Sequence, residues 1–436
     1  MMSTQNGSNA PGYSNFLQQQ WKMLLLTMFC YLFFYTGRHN FGWAAKHLAV
    51  TLNISYEKIG WVSFAMLIGY AVGQLINGNL ADRLSPRHMI ATGGLLSVVA
   101  NVLISCSSSF AVILTLWTLN GYFQSMAWAS GSRIISNWWQ DKRRGMAFGM
   151  YTMAAGASSI ITYLFSILLV QESWRNVFRI PVLFLAVAVV IFFLLVRNKP
   201  SDLGFTDGEK ADAPKPHWKE SYKTVLSNKR FLVVCLSLGF QSMARYGLIF
   251  WVPLYFLSKE HGAHSNQVWI SLLLPIGMAI GALSFGFISD RLFNANRIKS
   301  ITLGMSLCAV VSLLLYCFHF TNDILVGVFV FFAGFFAYGP QANFWPLSPE
   351  LLGHAYVGTG IGIMNMCAYI FAALGEPLMG RLIDKTGSQS VIFVTVAIIA
   401  LLSAATILLT GMLHQQQNLS SEPEILDQLK LKNTTT

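Results

Sequence analysis

The chain has 436 residues, 54% of them hydrophobic and only 11% charged, with a mean hydropathy of +0.52. Soluble domains carry about 25% charged residues, so this composition excludes a soluble domain as the bulk of the chain and places it in lipid. The formal net charge of +11 falls mostly in loops on one side of the predicted spans, which makes it a topology signal and argues against a nucleic-acid partner.

Spanning a bilayer takes about 20 apolar residues per helix, and apolar runs of that length recur along the whole chain. Residues 1–21 are polar, rich in Asn, Gln, Ser and Gly, and carry no small-residue cleavage site, so they are expected to be a tail on a retained first span. Spans are then predicted at 22–44, 59–80, 88–107, 110–134, 146–170 and 178–196, a first six-helix bundle over 22–196. Residues 197–230 hold Pro200, Pro214 and Pro216 among mixed charges and read as a linker. A second bundle over 231–412 follows, with spans at 231–256, 268–289, 300–319, 324–346, 357–381 and 389–412, and then a tail over 413–436. The predicted fold class is therefore an all-α membrane protein of twelve transmembrane helices in two pseudo-symmetric halves. All six cysteines lie inside apolar runs at irregular spacing, which offers neither a disulfide framework nor a metal motif.

Lys and Arg concentrate on one side of this arrangement. Arg83 and Arg87, Lys142 to Arg144, Arg291, Arg297 and Lys299, and the basic residues of the linker all fall there. That side is the cytoplasmic one, which puts both termini inside.

The two halves repeat. Gly78-Asn79-Leu80-Ala81-Asp82-Arg83 after the second span is matched 208 residues later by Gly286-Phe287-Ile288-Ser289-Asp290-Arg291. Arg38 and Arg245, both inside long apolar runs, are 207 apart. In the repeated turn the small Gly78 permits close helix approach, while Asp82 and Arg83, with Asp290 and Arg291 in the second half, are candidates for a latch between helix ends.

An arginine at bilayer depth costs at least about 2.5 to 3.5 kcal/mol on insertion scales, so an intramembrane Arg marks a functional site. Neither the first nor the seventh span contains Asp or Glu to neutralise its arginine. Guanidinium is planar, permanently charged and weakly hydrated, and its fork of donors fits phosphate or carboxylate oxygens. Tyr31, Tyr35 and Arg38 share one helix face, as do Tyr70, Gln74 and Asn77. Gln124 and Trp128, Gln241 one turn before Arg245, Tyr338 with Gln341 and Asn343, and Asn365 with Tyr369 complete a set of polar groups that together suggest a wet cavity. Glu376 is the sole deep acid; it is a candidate for proton coupling or for a structural role beside Pro377 and Arg381.

The repeated Gly-x-x-x-Asp-Arg turn resembles the signature of the major facilitator superfamily. More finely, the chain is similar to the organophosphate:inorganic phosphate antiporters. The likeness lies in Phe34-Tyr35-Thr36-Gly37-Arg38-His39-Asn40-Phe41, Gly121-Tyr122-Phe123-Gln124 through Arg133 to Trp138-Trp139, and Arg143-Arg144-Gly145. It continues in Arg245-Tyr246-Gly247 with Trp251, Ser289-Asp290-Arg291-Leu292-Phe293 and Tyr338-Gly339-Pro340. The resemblance implies that Arg38 and Arg245 hold a substrate phosphate, and that the halves rock about a midplane site to exchange an organic phosphate for inorganic phosphate. The chain departs from the pattern at Gln74 and His39, where relatives carry lysine, at Ala155, where they carry histidine, and at Phe250, where they carry an acid.

A phosphate ester carries about −1.5 to −2 at pH 7 and would balance two arginines. Two other functions remain open: a proton-coupled carrier or exporter of an organic anion such as a carboxylate, siderophore or drug, and a transporter-like sensor of sugar phosphate. No phosphate-cradling glycine loop, nucleophile elbow or metal motif supports an enzyme, and no cofactor or metal is expected. The expected partners are a small anionic substrate and the lipid bilayer, with the chain acting as a monomer in a bacterial inner membrane.

Overall fold

In the computed structural model the described residues are 11–139, 141–206, 218–257, 267–318, 322–353 and 356–433, and every regular element among them is helical. Span 1 runs Pro11–Phe34, turns through a 3-10 segment Tyr35–Gly37 and resumes as Phe41–Leu52. Span 2 is Tyr56–Arg83, span 3 Pro86–Cys106, span 4 the two pieces Phe110–Gln124 and Met126–Trp138, span 5 Asp141–Val170 and span 6 Asn176–Leu195. A short helix Trp218–Ser227 precedes span 7, Lys229–Leu257. Span 8 is Leu273–Leu292, span 9 Arg297–Cys317, span 10 the pieces Asp323–Tyr338, Gln341–Phe344 and Leu347–Leu352, span 11 Val357–Thr386 and span 12 Val391–Asn433.

Among the described residues, nine helical stretches are long and apolar enough to cross a bilayer. Spans 1, 4 and 5 fall short of that measure for visible reasons. Span 1 carries Gln18, Gln19 and Gln20 in its first half, span 4 is divided at Ser125, and in span 5 the apolar stretch lying wholly within the described residues is Gly156–Val170. Twelve helices result.

The helices depart from the expected spans in four ways. Residues 11–21, expected as tail, are helical and continuous with span 1, because Phe16 stacks on Trp138 at 6.2 Å and the Gln20 amide donates to the Trp138 carbonyl at 2.6 Å. The backbone of span 12 stays helical from Met412 to Asn433, where a tail was expected. Spans 1, 4 and 10 were expected to be continuous and are instead broken. In span 10 the break is chemical: Pro340 and Pro346 lack an N–H and crowd the preceding turn. The expected linker also holds structure, a 3-10 turn Pro200–Leu203 and the helix Trp218–Ser227.

Two compact units emerge. The first is drawn from Met1–Ala213, Ile249–Pro275 and Glu376–Gln389, and the second from Pro214–Leu248, Ile276–Gly375 and Ser390–Thr436. In the first, span 3 packs on spans 4 and 6, span 2 on span 4, and span 1 on spans 5 and 6. Its apolar core centres on Met23, Phe34, Ile134, Trp138, Tyr151 and Phe192. The C-terminal end of span 7 joins this unit through Phe250, stacked on Phe41 at 5.6 Å, and Ile249, whose carbonyl accepts the Tyr163 hydroxyl at 2.7 Å. In the second unit span 9 packs on spans 10 and 12.

Candidate functional site

Within the first unit the break in span 1 sets the position of Arg38. The N–H groups of Arg38 and His39 both go to the Tyr35 carbonyl, at 3.0 and 2.9 Å, so the backbone turns tightly there. Arg38 is 5% exposed and its guanidinium carbon lies 5.3 Å from the Tyr35 ring centre and 4.1 Å from that of Tyr70 on span 2. Aromatic faces attract a guanidinium and hold its plane. Behind Tyr35, Tyr31 lies at 5.7 Å and packs on Tyr151 at 4.6 Å, and Tyr151 stacks on Trp128 at 5.2 Å.

The expected companions of Arg38 have different environments. Gln74 is half-buried, and its Nε2 has no hydrogen-bond partner among the described residues. Asn77, by contrast, donates to the Ser125 hydroxyl at 2.7 Å. Gln124 directs its Nε2 to the Phe34 carbonyl at 2.9 Å and to the Ser97 hydroxyl at 2.8 Å, which uses both amide hydrogens inside the protein. His39 pairs through Nδ1 with the Ser159 hydroxyl at 3.1 Å. Phe250 is 7% exposed and packed on Phe41 and Trp251, so ring packing fills this departure from the pattern.

In the second unit Arg245 is half-buried in span 7 and is flanked in the same manner. Its guanidinium carbon is 4.4 Å from the Tyr246 ring centre and 4.9 Å from that of Tyr338 on span 10. Tyr246 in turn meets Tyr369 of span 11 at 5.8 Å. Asn365 lies half-buried one turn before Tyr369. Gln241 donates to the Ala337 carbonyl at 2.6 Å, at the end of the first piece of span 10, and its Oε1 accepts the Ser242 hydroxyl at 3.3 Å. The Gln341 Oε1 has no partner among the described residues.

Glu376 belongs to the first unit and is 1% exposed. Its carboxyl lies beside the Trp251 indole; neither Glu376 Oε2 nor Trp251 Nε1 has a formed hydrogen bond among the described residues. The Glu376 carbonyl approaches Gly60 of span 2 so closely that a Cβ there would meet it at 2.5 Å.

The latch residues divide. The side chains of Gly78, Asp82 and Arg83 lie outside the described residues, as do those of Arg143, Arg144 and Ala155. Asp290 forms its ion pair with Arg297, at 2.7 Å, whereas Arg291 lies over the Phe287 ring at 4.8 Å.

Sequence reasoning passed over Asn101 and Asn120. Both are fully buried, and both donate to the Gly37 carbonyl, at 3.1 and 2.8 Å. The signal was present: Asn101 is the one amide of span 3, and Asn120 stands one turn before Gln124 in the otherwise apolar first piece of span 4.

Comparison with known proteins agrees with this architecture. Residues 27–376 match the family model described as Major Facilitator Superfamily. The chain is 28% identical over 387 residues to the phosphoglycerate transporter protein of Salmonella typhimurium, covering 83% of each chain. It is 26% identical over 389 residues to the glycerol-3-phosphate transporter of Bacillus subtilis, covering 84% of this chain and 87% of the relative. Among solved structures, a bacterial homolog of the human lysosomal transporter Spinster superposes with a TM-score of 0.76 over 90% of this chain and 97% of its own. At 16% identity that likeness shows the fold alone.

Proposed function

Because the chain belongs to the major facilitator superfamily, we propose that it is a secondary transporter of a small organic phosphate, with Arg38 and Arg245 as ligands of the substrate phosphate. The observation that carries this reading is the like environment of the two arginines. Each sits between two tyrosine rings, Tyr35 and Tyr70 in one case and Tyr246 and Tyr338 in the other. Structural arginines in lipid are expected beside a carboxylate, and spans 1 and 7 supply none. The relatives named for phosphoglycerate and glycerol 3-phosphate support the same class of cargo. A phosphate ester at about −2 balances two guanidiniums, whereas a single carboxylate leaves one charge over.

The finer parts of the proposal follow from that charge. A bound dianion offsets the charge of both guanidiniums, which favours exchange for inorganic phosphate over net leak. Tyr35, Gln74, Trp128, Tyr338 and Asn365 are assigned to the substrate's surroundings; the Gln74 Nε2, without a partner among the described residues, supports a donor role there. The excess of Lys and Arg in one set of loops supports cytoplasmic termini in a bacterial inner membrane.

The test is a thermal-shift screen of purified protein against inorganic phosphate, phosphate esters, phosphonates and carboxylates, repeated with Arg38→Ala and Arg245→Ala. Phosphate compounds should stabilise the wild type and neither variant. A best ligand that binds both variants as well as wild type overturns the assignment, and specific binding without exchange in proteoliposomes would make the protein a sensor.

A second reading, a proton-coupled carrier of organic anions, is favoured by one observation, the burial of Glu376 at 1% exposure with its Oε2 lacking a hydrogen-bond partner among the described residues. It requires that the pH dependence of transport vanish in Glu376→Gln.

A further inference from the structure

The turn that delivers Arg38 is held from outside span 1. The Phe34 and Gly37 carbonyls bracket that turn, and three side-chain amides from two other spans reach them. Gln124 of span 4 donates to Phe34 at 2.9 Å, while Asn120 of span 4 and Asn101 of span 3 donate to Gly37 at 2.8 and 3.1 Å. The amides are tied to one another. The Ser97 hydroxyl donates to Asn120 Oδ1 at 2.6 Å and accepts from Gln124 at 2.8 Å, and Asn40 donates to Asn101 Oδ1 at 3.1 Å and to the Val177 carbonyl of span 6 at 3.1 Å. All of these polar side chains are at most 4% exposed.

Gly37 is what lets them so near. A Cβ on it would stand 3.1 Å from Asn101 Nδ2, 3.2 Å from Ser97 Oγ and 3.3 Å from Gln124 Nε2, tighter than ordinary contact. Spans 3 and 4 therefore read the backbone of residue 37, immediately before Arg38, through a surface that admits only glycine without adjustment. Each amide nitrogen of the network has an acceptor, while Asn40 Oδ1 lacks a partner among the described residues. Breaking these bonds leaves polar groups unpaired in an apolar interior, which stiffens the turn.

We propose that Asn101, Asn120 and Gln124 are positioning residues for the anion site: by clamping the Phe34 and Gly37 carbonyls they fix the direction in which Arg38 leaves span 1. This rests on the reading of Arg38 as a phosphate ligand. The clamp touches the backbone rather than the substrate, so its loss misaligns a guanidinium that is still present. Misalignment converts a fork held for two oxygens into a loosely placed charge.

The probe is inorganic phosphate, titrated into purified full-length protein and followed as exchange in proteoliposomes. Asn101→Ala, Asn120→Ala and the volume-conserving Asn120→Asp should each raise the phosphate Kd about tenfold, with the maximal exchange rate at saturating phosphate kept within about twofold. Gly37→Ala, which removes no hydrogen-bonding group, should shift Kd in the same direction. On an Arg38→Lys background, which keeps charge but lacks the fork, Asn120→Ala should add less than about twofold. A merely structural amide predicts the opposite pattern: lower Tm, unchanged Kd in folded protein, and full additivity with Arg38→Lys. That pattern, or wild-type Kd in Asn120→Asp and Gly37→Ala together, overturns the clamp. A phosphate Kd unaltered by Arg38→Ala instead overturns the site reading beneath it, so the two failures are separable.

Discussion

The Asp384 carboxylate accepts the backbone N–H of Glu57 at 2.7 Å and that of Tyr56 at 3.0 Å, so the end of span 11 caps the first turn of span 2. Ser55 caps the same turn locally, its hydroxyl accepting the Lys58 N–H at 3.3 Å. The first N–H groups of a helix lack internal partners and carry the positive end of its dipole, which suits a carboxylate. Gly380 against the Tyr56 carbonyl, and Gly60 against that of Glu376, let the two backbones meet. Loss of a cap costs about 0.5–2 kcal/mol. Asp384→Ala should lower the Tm of the purified protein by a few degrees, and Asp384→Asn, which still offers an oxygen, by less. Equal and unchanged melting in both would deny the cap any contribution.

Arg38 lies 4.1 Å from the Tyr70 ring centre, the shortest of the four distances between Arg38 or Arg245 and its flanking tyrosine rings. A cation over an aromatic face is stabilised by about 0.5–2 kcal/mol, which corresponds to roughly 2- to 30-fold in affinity if the stacking orients the guanidinium for its ligand. Tyr70→Leu should weaken phosphate binding within that range, and Tyr70→Phe should leave it within twofold. Equal damage by both would transfer the role from the ring to the hydroxyl.

Gln241 does for span 10 what Gln124 does for span 1, its amide reaching a carbonyl where the helix gives way. The residue after its acceptor Ala337 is Tyr338, which flanks Arg245. A buried carbonyl left without a donor costs about 1–3 kcal/mol. Gln241→Leu should lower the Tm and raise the phosphate Kd severalfold. Gln241→Glu, of like shape but without the donor when ionised, should do the same. A lowered Tm with unaltered Kd would confine Gln241 to stability.

The membrane-embedded helices were legible because apolar runs of bilayer length are a strong one-dimensional signal, and Arg38 and Arg245 because charge in such a run is rare. The breaks were less visible. Pro340 and Pro346 announce the one in span 10, yet span 1 turns at Tyr35–Gly37 without a proline, under direction from Asn101, Asn120 and Gln124. Partners that lie 64 to 90 residues away leave no local pattern. The same distance explains Phe250: sequence shows a missing acid, while only the fold shows the ring of Phe41 that takes up the space.

The repeated turn in the second half shows how adjacency in sequence misdirects. Asp290 and Arg291 are neighbours and of opposite charge, but consecutive residues on a helix point apart. Arg297, at the start of span 9, instead reaches Asp290 at 2.7 Å, the Ser289 hydroxyl at 3.1 Å and Asn343 Oδ1 at 3.4 Å, with Glu350 at 3.9 Å from its Nε. Its side chain is 18% exposed, whereas that of Asp290 is 61% exposed, so the ion pair itself is screened and contributes little. The shielded bonds to Ser289 and Asn343 make the difference, because charge-assisted hydrogen bonds contribute about 1.5–3 kcal/mol. Arg297→Ala should therefore destabilise the protein by that order, Asp290→Ala by less than about 1 kcal/mol, and Arg291→Ala by less than either. Thermal melts of the three variants order them directly. A larger loss in Arg291→Ala than in Arg297→Ala would return the latch to the neighbouring pair.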